Sequence, residues 1–214
     1  MASGMLDESA ESERMRERLR ADGPAAMGAI FADHRDRLRR MVEMRLDHRV
    51  RSRVDPSDVL QEAFVDAAAR LDSFLQKPDL PLFLWLRLVV GERLLKFHRH
   101  HLGTQMRDAG RDVTLYRGAL PAASSAAIAA QLLGKHTSPT QAAVRAERAL
   151  RLQDALNALD PVDREILSLR HFEELTHAEA ARALDIEPPA AARRYVRALK
   201  RLKDVMSEMP GAEE

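Results

Sequence analysis

Apolar residues recur at steps of three and four through most of the chain, the spacing that puts them on one face of an α-helix. From about Ala25 onward, Ile30, Phe31, His34, Leu38, Met41, Val42 and Arg45 keep that rhythm and predict a helical region with a single buried stripe. Asp55-Pro56-Ser57-Asp58 reads as a helix start. Asp55 can accept from free amides, Pro56 suits the first helical position, and Asp58 lies near the positive end of the dipole. The helix it opens runs to about Phe74 and buries Leu60, Phe64, Ala67, Leu71 and Phe74. Pro78 and Pro81 then interrupt the chain before a third helix over residues 82–101, with Leu82, Trp85, Leu86, Val89 and Phe97 on its apolar side. Trp85 is the sole tryptophan and, lying on that stripe, reads as a core anchor rather than a stacking platform.

The pattern lapses in two places. In residues 1–22 the hydrophobic positions are too sparse to bury a face, which predicts a disordered, charged extension. Residues 103–137 begin basic and pass into Ala-Ser repeats, which predicts a flexible linker with at most one weak helix. Helical rhythm returns after Ser138-Pro139-Thr140-Gln141, and the same start signal recurs at Asp160-Pro161 and at Thr176-His177-Ala178-Glu179. Pro188 opens a last helix that runs to about Met206. The expected fold is all-α: two helical modules, residues 23–102 and 138–208, joined by the linker.

Composition agrees. Aromatics are only 4% of the 214 residues, and strands favour the aromatic and β-branched types that are scarce here. No apolar run reaches the roughly 18 residues of a membrane span, and the strongest candidate is cut by Arg87. Asp7, Glu8, Glu11 and Glu13 stand where a signal peptide would be basic and then apolar, so a cytoplasmic location is expected. The absence of cysteine excludes a disulfide framework, a thiolate zinc site and a cysteine nucleophile.

Thirty-four basic against 33 acidic residues would not suggest a polyanion partner. Resolved along the chain, the balance breaks. Residues 77–117 hold eight basic and four acidic residues, 147–187 hold five and ten, and 193–203 hold six and none. Local basic stretches matter to a phosphate backbone more than the sum does. Asp58, Glu62 and Asp66 stack by fours along one face of the second helix, either as a solvated acidic face or as a docking surface. His98 and His101 share a helix face, but with no carboxylate pair beside them they read as a basic helix terminus rather than a metal site. No catalytic constellation and no cofactor motif is visible.

Residues 175–202 have the layout of a helix-turn-helix. A short capped helix with small contact residues (Ala180, Ala181) precedes an Arg- and Lys-rich helix. A helical hairpin with a basic face would look the same in isolation. With what lies upstream, however, the chain resembles sigma-70-type sigma factors of bacterial RNA polymerase, of the extracytoplasmic-function group. Residues 55–64 resemble that family's acidic Leu-Val-Gln-Glu-x-Phe segment, and Leu71-Asp72-Ser73-Phe74 its continuation. Trp85-Leu86-Arg87 followed by Arg93-Leu94-Leu95 resembles the promoter-melting helix. Leu156, Leu159-Asp160-Pro161 and Arg164-Glu165-Ile166-Leu167 stand before the helix-turn-helix as in the family. The linker and flanking segments further resemble planctomycete-type members.

The resemblance implies a noncatalytic subunit with core RNA polymerase and promoter DNA as partners, and an anti-sigma or other regulatory protein as a third. It assigns Asp58, Gln61, Glu62 and Asp66 to core polymerase. Arg87, Arg93, Lys96, Arg99 and His100 go to the proximal promoter element and its melting, and Arg193, Arg194, Arg197, Lys200 and Arg201 to the distal element. Three departures stand out: Leu88 where relatives often carry Arg, Glu92 where they carry Asn, and 189–192 (Pro-Ala-Ala-Ala) where they offer Thr and Lys. Glu92 argues against base-specific contact at its position, and the last departure implies backbone-dominated binding with weak base readout at the distal element. The rival readings are a free-standing helix-turn-helix regulator, which would usually dimerise, and a helical protein-protein adaptor.

Overall fold

The computed structural model describes residues 2–78, 80–102, 120–134 and 142–208, and every regular element among them is a helix. The chain opens with α1 (Ala2–Asp33), two helical pieces meeting at Gly23, whose φ of 51° and ψ of −124° lie outside helical space. Glycine takes that conformation without a Cβ penalty, and Pro24 restarts the helix with its fixed φ. Helix thus runs through residues 2–22, where the hydrophobic pattern predicts a disordered extension. Arg16 and Leu19 are buried, and Arg16 donates to the carbonyls of Lys77 (2.9 Å) and Leu80 while its guanidinium lies 4.4 Å from the Phe74 ring centroid. Gly23-Pro24 interrupts the rhythm that links Leu19 to Met27 and Ile30, which is why the sequence pattern did not extend upstream.

α2 (Arg35–Arg45), α3 (Pro56–Ala69), α4 (Leu71–Leu75) and α5 (Leu82–Leu102) complete the first module. The predicted start of α3 is a capping box: Asp55 accepts from the Ser57 amide at 2.7 Å and Asp58 from the Asp55 amide at 3.3 Å. The hydrogen bonds from Ser57 hold the Asp55 carboxyl below its ordinary range. Trp85 is in the core, its ring stacked on Phe74 with centroids 4.5 Å apart.

α6 (Ser125–Leu132) follows, then α7 (Ala142–Asn157), α8 (Pro161–His171), α9 (His177–Leu184) and α10 (Pro188–Ser207). Asp160 and the Thr176–Glu179 capping box start α8 and α9 as the pattern predicts. The start signal at 138–141 and the linker residues 103–119 lie outside the described residues. Residues 120–134, expected to belong to a flexible linker, are instead docked. Ser124 caps α6 and donates its amide to the Met44 carbonyl at 2.8 Å, and Ala127, Ile128 and Ala129 are buried against the second module. One apolar core runs from Leu38 and Leu86 of the first module through Val162, Ile166 and Leu175 of the second.

Candidate nucleic-acid interface

α9 braces α10 through close approach at Ala180 and Ala181, both fully buried. Asp185 ends α9 in the left-handed conformation (φ 54°), and the Ile186 amide returns to the Ala181 carbonyl at 3.0 Å, which turns the chain into α10. α10 buries Ala191, Ala198 and Leu202 and leaves Arg193, Val196, Lys200 and Arg201 on its outer side. The five cations assigned to the distal element therefore separate. Arg194 and Arg197 reach back to Asp163 on α8: Arg194 Nη1 lies 2.6 Å from Oδ1, while Arg197 forms a two-pronged pair at 2.8 and 2.9 Å. Arg194 also meets Asp160 at 3.2 Å. Arg193, Lys200 and Arg201 carry no ion pair among the described residues and face solvent. Arg197 keeps much of its surface exposed while paired, so Arg194 is the cation most withdrawn from an approaching phosphate.

On the first module, Asp58, Gln61 and Glu62 are exposed along α3, with Val65 beside them. Glu62 accepts from Arg93 Nη1 at 2.8 Å, and Asp66 lies 2.5 Å from Arg93 Nη2 and 3.8 Å from Lys96 Nζ. Burial opposes ionisation of Asp66, but the Arg93 hydrogen bond and charge outweigh it and hold its carboxyl below the usual range. Residues assigned to polymerase and residues assigned to DNA are thus parts of one ion-paired surface where α3 meets α5. Arg99 and His100 stay exposed at the end of α5, while Glu92 is occupied by Arg70 at 2.6 Å. His98 is turned inward, accepting from the Asp47 amide at 3.2 Å, and burial lowers its pKa, so the ring is neutral. Among the described residues no group of three His, Asp or Glu is arranged to hold a metal.

Arg87 is withdrawn from the surface in this structure. Assigned to promoter melting, it is 4% exposed and donates from Nε to Glu173 at 2.6 Å, with Nη2 3.4 Å from Glu165. Arg45 of α2, which the pattern had placed on an apolar stripe, is equally buried and pairs with the same two carboxylates, 2.7 Å from Glu173 Oε1. Burial would raise the Glu173 pKa, yet the Arg45 and Arg87 charges outweigh it and keep the carboxylate ionised. Arg37 and Arg40 join from α2. Arg37 donates to the Glu173 (2.9 Å) and Glu174 (3.2 Å) carbonyls, and Arg40 donates to Phe172 O at 2.7 Å and pairs with the Glu174 carboxylate at 2.5 Å. The docked strap closes the same junction, with the Ala123 amide donating to Glu165 Oε2 at 3.1 Å and Leu120 seated against Gly91 of α5. The arginines stand 78 to 137 residues from their partners and leave no local signal, so sequence reasoning missed this cluster.

Residues 149–202 match the family described as Sigma-70, region 4. No curated protein matches the chain. Among solved structures, the chain is similar to CnrH, solved in complex with the cytosolic domain of CnrY. Identity is 20% and the TM-score 0.52, and the likeness covers 92% of this chain and 97% of that one. The helix-turn-helix and the helices that support it are thus similar to the sigma-70 region 4 family, within a whole-chain fold similar to that of CnrH.

Proposed function

We propose that this chain is a sigma factor of bacterial RNA polymerase, of the extracytoplasmic-function group, which recruits core enzyme to promoters and opens them from the cytoplasm. The observation that carries the reading is the region 4 match, which falls on the helix-turn-helix whose outer face presents Arg193, Lys200 and Arg201. These side chains contact the distal promoter element, Arg as a bidentate donor to guanine or phosphate and Lys as a point charge. With Pro-Ala-Ala-Ala at the tip of α10, phosphate contacts dominate and base readout is weak. Lys96, Arg99 and His100 serve the proximal element and its melting. Asp58, Gln61 and Glu62 form the docking edge for core polymerase, supported by Asp66.

The working units are residues 23–102 and 138–208, with α1 as a brace on the first. A regulatory protein holds the two modules, by analogy with CnrH, which was solved with the cytosolic domain of CnrY. Placement near planctomycete-type members rests on the linker and flanking segments.

The test is run-off transcription from candidate promoters after adding the protein to sigma-free core polymerase. Promoter-dependent transcripts are expected. DNA binding without transcripts would replace this reading with a free-standing regulator, and neither activity would leave a helical adaptor.

A further inference from the structure

The turn between α8 and α9 is held by the other module in an unusual way. Glu173 is fully buried, yet its neighbours are guanidinium groups as well as apolar side chains, Arg45 at 2.7 Å and Arg87 at 2.6 Å. Arg37 and Arg40 take the backbone carbonyls of the same turn, and Arg37 stacks 3.7 Å above the Phe83 ring, which fixes its fork. Glu165 adds a second carboxylate against Arg45 and Arg87. Four arginines from α2 and α5 thus converge on three carboxylates and three carbonyls of the second module.

Planar guanidinium forks on closely spaced oxyanions are also the chemistry of phosphate-backbone contact. A second observation sets this turn apart. Glu174 adopts φ 55°, a left-handed conformation in which glycine is the unstrained residue. A glutamate stands there, and its carboxylate is spent on Arg40 at 2.5 Å. The strap is tied to the same cluster, because Glu165 also accepts from the Ala123 amide.

We propose that Arg37, Arg40, Arg45 and Arg87 form a latent phosphate-binding surface for promoter DNA, which the chain's own 172–174 turn and Glu165 occupy as an acidic plug. In the closed chain the plug and DNA compete for the same arginines. Opening the two modules releases the plug and turns the buried cluster of four arginines into an exposed cationic face. The inference rests on the sigma-factor reading for the identity of the DNA. Its test is independent, because phosphate contact needs neither polymerase nor a particular sequence.

The experiment measures anisotropy of a labelled 40-base-pair duplex of arbitrary sequence with the full-length chain, across a salt series. E173Q/E174G should bind several-fold more tightly than wild type at low salt. Its plot of log K against log salt should be steeper by about 0.9 for each phosphate newly contacted. E174G alone relieves the left-handed backbone while removing one carboxylate, so it folds even where E173Q does not, and it should show a smaller shift in the same direction. E147Q changes charge by the same amount on α7 and should change neither quantity. Adding R37A/R40A to E174G should abolish the gain. Equal affinity and slope in wild type and both plug variants, a gain matched by E147Q, or a gain that survives R37A/R40A would each overturn the plug. Run-off transcription by wild type separates the two ideas: transcripts without a plug effect sink only the plug, and a plug effect without transcripts sinks only the sigma reading.

Discussion

Replacing Asp163 by asparagine should weaken the second module and strengthen its hold on DNA, two opposite effects of one substitution. The side chain is 4% exposed and is the anchor between α8 and α10, with Arg194 at 2.6 Å and Arg197 at 2.8 and 2.9 Å. Hydrogen bonds to charged groups contribute about 1.5–3 kcal/mol when shielded and exposed ion pairs about 0.2–1 kcal/mol. Arg194 side-chain exposure is 30% and that of Arg197 is 61%, so the first belongs near the bottom of the shielded range and the second with exposed pairs. Asparagine keeps the shape and one acceptor, so the expected loss is about 2 kcal/mol. In a chain of this size that lowers Tm by about 4–8 °C, measured by circular dichroism at 222 nm. Arg194 and Arg197 are released to the outer face of α10. Affinity for duplex DNA at low salt should therefore rise, with a salt slope steeper by about 1–2. An unchanged Tm would show that the clamp is not structural. Weaker DNA binding by a folded variant would show that Asp163 presents these arginines rather than withholding them.

Three further predictions follow from other parts of the chain. Gly91→Ala puts a methyl group 1.9 Å from Leu120 Cδ2, so the strap must shift; we expect a loss of about 1–3 kcal/mol, faster proteolysis near residue 120, and recovery in G91A/L120A. Glu173 has a folded pKa below its unfolded value, so its contribution is present above about pH 4.3 and disappears as pH falls through the depressed value. The Tm gap between wild type and E173Q should accordingly shrink between about pH 6 and pH 3, and a constant gap would contradict the ionised assignment. Glu62→Lys should reduce capture of core polymerase several-fold in a pull-down while leaving Tm nearly unchanged, because its pair with Arg93 is solvent-exposed; undiminished capture would remove α3 from the docking surface.

Much of the helical framework was legible before any coordinates. The caps at Asp55, Asp160 and Thr176, the buried face of Trp85 and the helix-turn-helix all depend on residues within about four positions of each other, where spacing and hydrogen-bond reach are the same thing. The outer cations of α10 were legible for the same reason. α1 was not, because the Gly23-Pro24 kink breaks its period and because Arg16 is buried by Phe74 and by carbonyls more than sixty residues away. The strap at 120–134 looked like a linker because its Ala-rich sequence buries a face only against other helices, chiefly α7 and α2.

What the sequence determined by itself is the set of helices and the sign of charge that each outer face carries. Which charges remain available was decided only by tertiary structure. Arg87, Arg93, Arg194 and Arg45 are equal in the sequence as cations. In the fold, one pairs with an acidic stripe, one with Asp163, and two with a buried Glu173 from the other module. Helix formation is a short-range property of backbone and neighbours, whereas a carboxylate neutralises whichever guanidinium the folded chain brings to within about 3 Å of it.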